Sequence, residues 1–585
     1  MRRVAILAAI TLAVAVGCSP AVKYNTSRVN GCAEPANMVE VTSEQKAEWQ
    51  RAGEALNAAW GDIDYGYERH AVPQEVSKQP HRLTAWRGER VSAQMLLWSN
   101  EAEDDVRCTV GEFNSPSGTL AAEIARPYFV RYTIANGNSY SEDWRVAGET
   151  ILAPDMLDTL SMFQMAAQET RPVWITIDVP QEATADTYLT SVSISQSGKV
   201  VATLPLELEV VDHTLPKPAE WSFHLDLWQH PSAVARAYGV ELWSDEHFEA
   251  MRPLMRRLAE AGQKVITCTL NKDPWNSQCY DDYEAMIVWT KQTDGVWSYD
   301  YTIFDRWVAM MLDLGIDKAI NCYSMVPWNC ELEYYDEQTE TVVKVKAEPG
   351  TAEFTQMWEP FLRDFRQHLQ HKGWLEMTNI AMDERSPEAM QAAAELLTRV
   401  APEMGFALAD NHRSYKQFTM MRDVCVAMNH QIVDKEDIEM RRSKGHTTTF
   451  YVCCSPLFPN TFSSSQPYEA EMLGWINIAY DYDGILRWAY NSWNVNPHYD
   501  SRYGSWMSGD TYLVYPFNRS TMRFERLRDG VEGAEKIRLL RQKGCDMSGV
   551  DAVLEKIRTT DILDPTQPWK EILDEARKAL AEVAQ

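Results

Sequence analysis

Beyond its first sixteen residues, the 585-residue chain has no apolar run of the length, about 20 residues, that a membrane-spanning helix needs. It also lacks a Walker loop, GxGxxG, GxSxG and HExxH. Nucleotide, serine-hydrolase and metalloprotease chemistry therefore have no motif to rest on. The 11 cysteines include no CxxC, and Cys453 and Cys454 are adjacent, which excludes a zinc ribbon. Positive charge is scarce: 56 Lys and Arg against 84 Asp and Glu leave a net charge of −28. Such a field repels phosphate backbones, so nucleic acid is not an expected partner. No metal or organic cofactor is expected either.

What the chain does have is aromatic surface, with 21 Trp and 25 Tyr. Many Trp are ordinary core. An excess also suits sugar binding, because a flat ring accepts the apolar face of a pyranose while the sugar hydroxyls seek hydrogen bonds. At 45% hydrophobic residues the chain can bury a large core.

The N-terminus points to export. Arg2 and Arg3 precede an apolar run over residues 4–16, a length that fits a signal peptide rather than a membrane span. The run ends in Ala15-Val16-Gly17-Cys18, which resembles a bacterial lipobox, with Ala15 where Leu is usual. That resemblance implies cleavage before Cys18, acylation of Cys18, and a lipid anchor in a bacterial membrane. The alternative is an ordinary secretory signal with an incidental Cys. Export permits disulfides, but the ten other cysteines form no compact framework.

Residues 18–77 are assigned to a tether and N-terminal segment, with a short helix near 46–60. Strand-like stretches follow at 91–98, 128–134, 171–179, 188–194 and 204–211, and Gln196-Ser197-Gly198-Lys199 has the composition of a hairpin turn. Residues 78–213 are thus expected to form a β-sandwich. Pro216 and Pro218 mark a linker. Strands then alternate with helices over 214–545. The strands are expected at 223–228, 264–270, 318–325, 378–384, 406–411, near 430–433, 447–454 and 484–493. The helix over 353–371 carries Phe354, Trp358, Phe361, Leu362, Phe365 and Leu369 at helical spacing. A last amphipathic helix spans 524–542, and residues 546–585 form a C-terminal helical segment. Eight strands with intervening helices predict a (β/α)₈ barrel, with an open doubly wound sheet as the alternative. The fold class is therefore multidomain: an all-β sandwich followed by an α/β barrel.

Barrel active sites lie where the strands end. Strand four ends in Asp383-Glu384, two adjacent carboxylates for which a solvated loop pair is the bland alternative. Other strand ends offer Asp226, Trp228, Gln229 and His230; Tyr323, Trp328 and Asn329; Asp410, Asn411 and His412; and Trp488, Tyr490, Asn491 and Trp493. Of these, Trp228, Tyr323, Asn411, Tyr490 and Trp493 are the candidate sugar contacts. Tyr490 and Trp493 are expected to form a wall of that sugar site, because strand eight closes beside strand one at the barrel mouth.

The stretches Leu225-Asp226-Leu227-Trp228-Gln229-His230-Pro231, Ala261-Gly262-Gln263-Lys264, Cys322-Tyr323-Ser324-Met325, Ala381-Met382-Asp383-Glu384-Arg385 and Glu525-Arg526-Leu527-Arg528-Asp529-Gly530-Val531-Glu532 resemble glycoside hydrolase family 123, over roughly residues 80–545. The resemblance implies an exo-acting, retaining β-N-acetylgalactosaminidase working on glycans or glycolipids. In that reaction the substrate's own 2-acetamido group is the nucleophile. Asp383 would then hold the acetamide, and Glu384 would be the acid/base. A neighbouring carboxylate and partial burial are expected to raise the pKa of Glu384, while Asp383 stays ionised. Two rivals remain: another β-hexosaminidase or β-glycosidase with its nucleophile on a different strand, and a catalytically silent glycan-binding lipoprotein.

Overall fold

The computed structural model describes residues 34–36, 42–137, 148–429, 432–504 and 506–584. The expected signal peptide and Cys18 lie outside these residues. No helix among the described residues is long and apolar enough to cross a membrane.

The N-terminal half is two packed β-sheets. One orders Asn57–Trp60, Arg90–Ser99, Glu169–Asp178, Ala125–Asn136 and Thr150–Asp158; the other centres on His81–Arg87, Lys199–Thr214, Asp186–Gln196 and Glu103–Val110. Alternate residues of each strand meet between the sheets, among them Met95, Leu97, Val173, Ile175, Val192, Ile194 and Leu208. The hairpin expected at 196–199 is present: Gln196 pairs with Lys199, and Ser197 and Gly198 take φ of 49° and 78°. The short N-terminal helix is Ser43–Ala52, opened by a Thr42/Gln45 capping box. The sheet also takes in Asn57–Trp60, which pattern alone left in the preceding segment.

A parallel eight-stranded barrel follows. Its strands, in chain order, are His224–Leu227, Val265–Thr269, Ala319–Tyr323, Thr378–Asp383, Gly405–Asp410, Met421–Ala427, Thr447–Val452 and Gly484–Arg487. The seam between strands one and two is closed mainly by side chains. Gln263 Oε1 accepts from Leu227 N at 2.9 Å, and Gln229 Oε1 accepts from Thr267 N at 2.9 Å. Gln229, picked out as a strand-end residue, is thus part of the barrel wall.

Strand six lies at Met421–Ala427, not near 430–433, where residues 430 and 431 fall outside the described set. The polar pair Arg422-Asp423 breaks its apolar run. Asp423 faces the barrel interior, where it accepts from Asn321 Nδ2 at 3.0 Å. Strand eight ends at Arg487, six residues short of its expected end.

The helix Ala352–Lys372 delivers strand four. Thr351 caps its start by accepting from Phe354 N at 3.2 Å, and Gly373 ends it at φ 75°. Its aromatic stripe is fully buried. The helix Met522–Lys543, expected to be amphipathic, is buried on nearly every side. It crosses Pro467–Ala479 so closely that a Cβ on Gly474 would sit 2.3 Å from the Gly530 carbonyl oxygen. Only glycine permits that approach, because backbone cannot yield as a flexible side chain does. The polar residues of this helix bind across to the sandwich. Arg523 holds Asp155 through two bonds of 2.8 Å, and Arg526 holds Asp64 at 2.8 Å.

The sandwich also props the C-terminal end of the barrel strands. Ile134 N donates to Tyr499 O at 2.9 Å, Ser501 N to Ile134 O at 2.8 Å, and Asn136 N to Ser508 Oγ at 2.8 Å. These bonds fix the long segment after strand eight, which carries Trp506.

Candidate active site

A cleft of about 320 Å³ opens at the C-terminal ends of the barrel strands, within the usual range for small-ligand sites. Inward-facing positions on strands four to six are small: Ala381, Ala407, Ala409, Cys425 and Ala427. Opposite them, Trp228 packs on Tyr323 at 4.5 Å and on Trp275 at 5.1 Å between ring centroids. Small residues on one side and indoles on the other leave a cavity with a flat aromatic wall.

Asp383 ends strand four, and Glu384 takes φ 46°, in the left-handed region. On a regular strand neighbouring side chains point to opposite faces. The left-handed turn brings both carboxylates to the cleft instead. Such a conformation costs a non-glycine residue about 1–3 kcal/mol and concentrates at functional sites. Glu384 N still reaches strand five, donating to Ala409 O at 2.8 Å.

Each carboxylate has its own aromatic donor. Trp328 Nε1 donates to Asp383 Oδ2 at 3.2 Å. Arg385 binds the Asp383 carbonyl at 3.1 Å and lies 5.0 Å over the Trp328 ring, which steadies that indole. The Tyr451 hydroxyl donates to Glu384 Oε1 at 2.5 Å. Burial, then the charge of Glu384, push the Tyr451 hydroxyl well above its ordinary pKa, so it remains a donor.

The Asp383 carboxyl titrates above its ordinary range. Burial first, then the neighbouring Glu384 charge, push it up to about 7, against the opposing pull of the Trp328 and Trp275 indoles and Arg385. From the sequence, Asp383 is expected to be ionised as it accepts the acetamide N–H; in the protein alone, burial opposes that charge. Burial therefore disfavours Asp383 as an anion, and the charge of Glu384 beside it adds to that.

Of the other expected contacts, Trp228 lines the cleft, while Tyr323 is buried behind it. Asn411 lies half-buried and off the cleft lining, with its Oδ1 enclosed and unpaired among the described residues. Tyr490 and Trp493 are not at the mouth. Both are fully buried in the core between barrel and helices, where Tyr490 donates to Leu254 O at 2.9 Å and Trp493 to Val514 O at 2.6 Å. Because strand eight ends at Arg487, the chain has already turned outward before reaching them. Among the other strand-end residues, Asp410 caps its own loop and His230 stacks on Tyr283 at 3.6 Å.

Several cleft residues escaped the strand-end rule. Tyr451 had a signal, lying inside the expected strand seven. Trp275 and Gln278 come from the excursion after strand two, and Trp506 from the segment after strand eight; neither segment has a periodic pattern. Trp506 donates to Gln278 O at 3.1 Å and meets Trp488 edge-on at 5.2 Å.

The model for the glycoside hydrolase 123 catalytic domain matches residues 228–540, and that for the glycoside hydrolase 123 N-terminal domain matches residues 60–196. The chain belongs to glycoside hydrolase family 123. It is a glycoside hydrolase. A family 123 glycoside hydrolase from Clostridium perfringens, studied for glycolipid glycan hydrolysis, shares the fold at a TM-score of 0.83 and 24% identity, over 90% of this chain and 98% of that one. A family 39 glycoside hydrolase from Bacteroides cellulosilyticus WH2 reaches a TM-score of only 0.33 at 10% identity, over 78% of this chain and 82% of that one. No curated protein matches the sequence.

Proposed function

We propose that the protein is an exo-acting, retaining β-N-acetylgalactosaminidase that removes terminal β-linked N-acetylgalactosamine from glycans or glycolipids by substrate-assisted catalysis. The observation that carries this reading is the placement of the acids. Asp383 and Glu384 are adjacent on one strand end, and no third carboxylate lines the cleft among the described residues. A retaining enzyme with its own nucleophile sets two carboxyls about 5–5.5 Å apart on opposite sides of the bond. Here the opposite wall is indole, so the nucleophile comes from the substrate. The glycolipid substrate class follows the Clostridium perfringens relative.

In this mechanism the acetamide N–H donates to Asp383, which favours the anionic form of that carboxyl. The proton of the pair is then carried by Glu384, which gives it to the departing glycosidic oxygen. The acetamide oxygen attacks the anomeric carbon, and Asp383 offsets the positive charge of the oxazolinium ring. Glu384, held by Tyr451, next takes a proton from water as the ring opens, so the anomeric configuration is retained.

A panel of nitrophenyl sugars tests the assignment. The 2-acetamido-galactoside should be turned over and its 2-hydroxy counterpart should not, and a thiazoline mimic of the cyclised acetamide should inhibit strongly. Equal turnover of both sugars points to a nucleophile elsewhere. Absence of turnover with every sugar counts against the exo-acting assignment.

We also propose that Cys18 is acylated and anchors the exported protein in a bacterial membrane, on the strength of the Ala15-Val16-Gly17-Cys18 sequence. Cys18→Ser should move the protein from the membrane fraction to the soluble one; unchanged partitioning counts against the anchor.

A further inference from the structure

Strand seven leaves the barrel at Val452, and two cysteines follow at once. Both line the cleft that holds Asp383 and Glu384, and both are partly accessible. Their Sγ atoms lie 3.8 Å apart. The backbone around them is held in place: Asn460 Nδ2 donates to Cys453 O at 2.8 Å and to Pro456 O at 2.6 Å. Neither thiol has a task in the hydrolysis derived above. Other cysteines of the barrel are placed differently. Cys268 and Cys322 face each other on strands two and three, but both are sealed in the core.

We propose that Cys453 and Cys454 close into a vicinal disulfide that forms a rigid wall of the sugar-binding cleft. The sugar-binding part rests on the function proposed above; the disulfide itself does not.

The oxidant is a second disulfide, of low molecular weight or carried by an oxidoreductase. The Cys453 thiolate attacks one of its sulfurs, a mixed disulfide forms, and one thiolate leaves. Cys454 is the resolving thiol: its hydrogen bond to Cys453 and its burial favour its protonated form. After losing that proton, its sulfur attacks Cys453 Sγ and expels the second thiolate. The protein loses two hydrogens, and the reagent gains two electrons and two protons.

The peptide bond between the two residues is trans, which sets their Cα atoms about 3.8 Å apart. Ordinary disulfides span about 4.4–6.8 Å, so this ring is tight and readily reduced. Joining neighbours in sequence restrains almost no chain entropy, so global stability should change little. The effect is local to the cleft. Two rotatable side chains become one fixed, polarizable, apolar surface, and a preorganised wall lowers the cost of binding. The disulfide touches no reacting atom, so it should act on KM and not on kcat.

The test uses the full chain, incubated with glutathione disulfide or with dithiothreitol. Differential alkylation and peptide mapping should find Cys453 and Cys454 protected in the first case and labelled in the second. KM for the nitrophenyl 2-acetamido sugar should rise about three- to ten-fold on reduction at nearly constant kcat. Cys454→Ser should show the higher KM in both buffers. Labelling of both thiols after oxidation overturns the disulfide without recourse to turnover or to the variant. A disulfide that forms while KM stays constant or falls on reduction overturns its role as a wall. If no sugar is turned over, the function proposed above fails, and the mapping still decides the disulfide.

Discussion

Glu384→Gln should lose about 10²–10⁴-fold in kcat/KM on a glycoside with a sugar or lipid alcohol as leaving group, the usual worth of general acid–base assistance. The loss should shrink sharply with nitrophenolate or fluoride, which depart without protonation. Glutamine keeps the size of the side chain and can still accept from Tyr451, so the cleft keeps its shape and the deficit reports the missing proton. With an activated leaving group the first step becomes fast, and opening of the oxazoline becomes limiting because water has lost its base. Azide, which needs no base, should then restore turnover and yield the β-azide, the retained product. The decisive measurement is a leaving-group series on both acid variants. Uniform loss across the series in Glu384→Gln, with recovery on activated substrates in Asp383→Asn, reverses the two roles. No loss in either variant removes strand four from the chemistry.

The site was legible where the chain is regular and hidden where it is not. Strand four has an apolar interior, a well-capped helix before it and two acids at its end, so strand periodicity and the barrel rule together single out Asp383 and Glu384. Their convergence on one cleft depends on the left-handed backbone of Glu384, at φ 46°. No propensity forecasts that conformation for a glutamate, because tertiary packing imposes it. Strand six was misplaced because barrel interiors tolerate polar layers: Arg422 and Asp423 interrupt the apolar pattern that marks a strand, and Asp423 binds Asn321 of strand three. At strand eight the aromatic run continued past the true end. Trp488 lines the cleft, while Tyr490 and Trp493 pack into the outer core. Composition shows that aromatics are plentiful but not which ones face a ligand.

The rest of the cleft wall was out of reach for a topological reason. Trp275, Gln278 and Trp506 sit on excursions whose shape is fixed by distant partners. The sandwich strand Ala125–Asn136 pins the segment after strand eight through Ile134 and Asn136, and that segment hands Trp506 to Gln278. The sandwich therefore contributes to the site although none of its described residues lines the cleft. The Arg523–Asp155 pair has both partners buried, so removing either one strands an uncompensated charge at the interface that aligns this support.

Asp383→Asn should be impaired by a similar or larger factor than Glu384→Gln, but evenly across the leaving-group series. The acetamide must be turned and polarised whatever group departs, and asparagine offers no charge to offset the oxazolinium ion. Azide should not rescue this variant while the acetamide remains the nucleophile, because the failing step precedes the intermediate that azide intercepts. The pH profile supplies a second, independent signature. In the wild type the pair must hold one proton: with two, Asp383 cannot balance the ring charge, and with none, Glu384 cannot protonate the leaving group. The kcat/KM profile is therefore a bell that reports the free protein, with apparent values belonging to the pair. Because the Asp383 carboxyl is pushed up to about 7 by burial and by Glu384, the alkaline limb should fall near that pH. In Asp383→Asn the amide adds no negative charge beside Glu384, and one titration disappears. The limb near 7 should move to lower pH and the bell should become a single descending curve. A variant that keeps the wild-type bell, or one whose loss vanishes with fluoride as the leaving group, would show that Asp383 does not hold the acetamide.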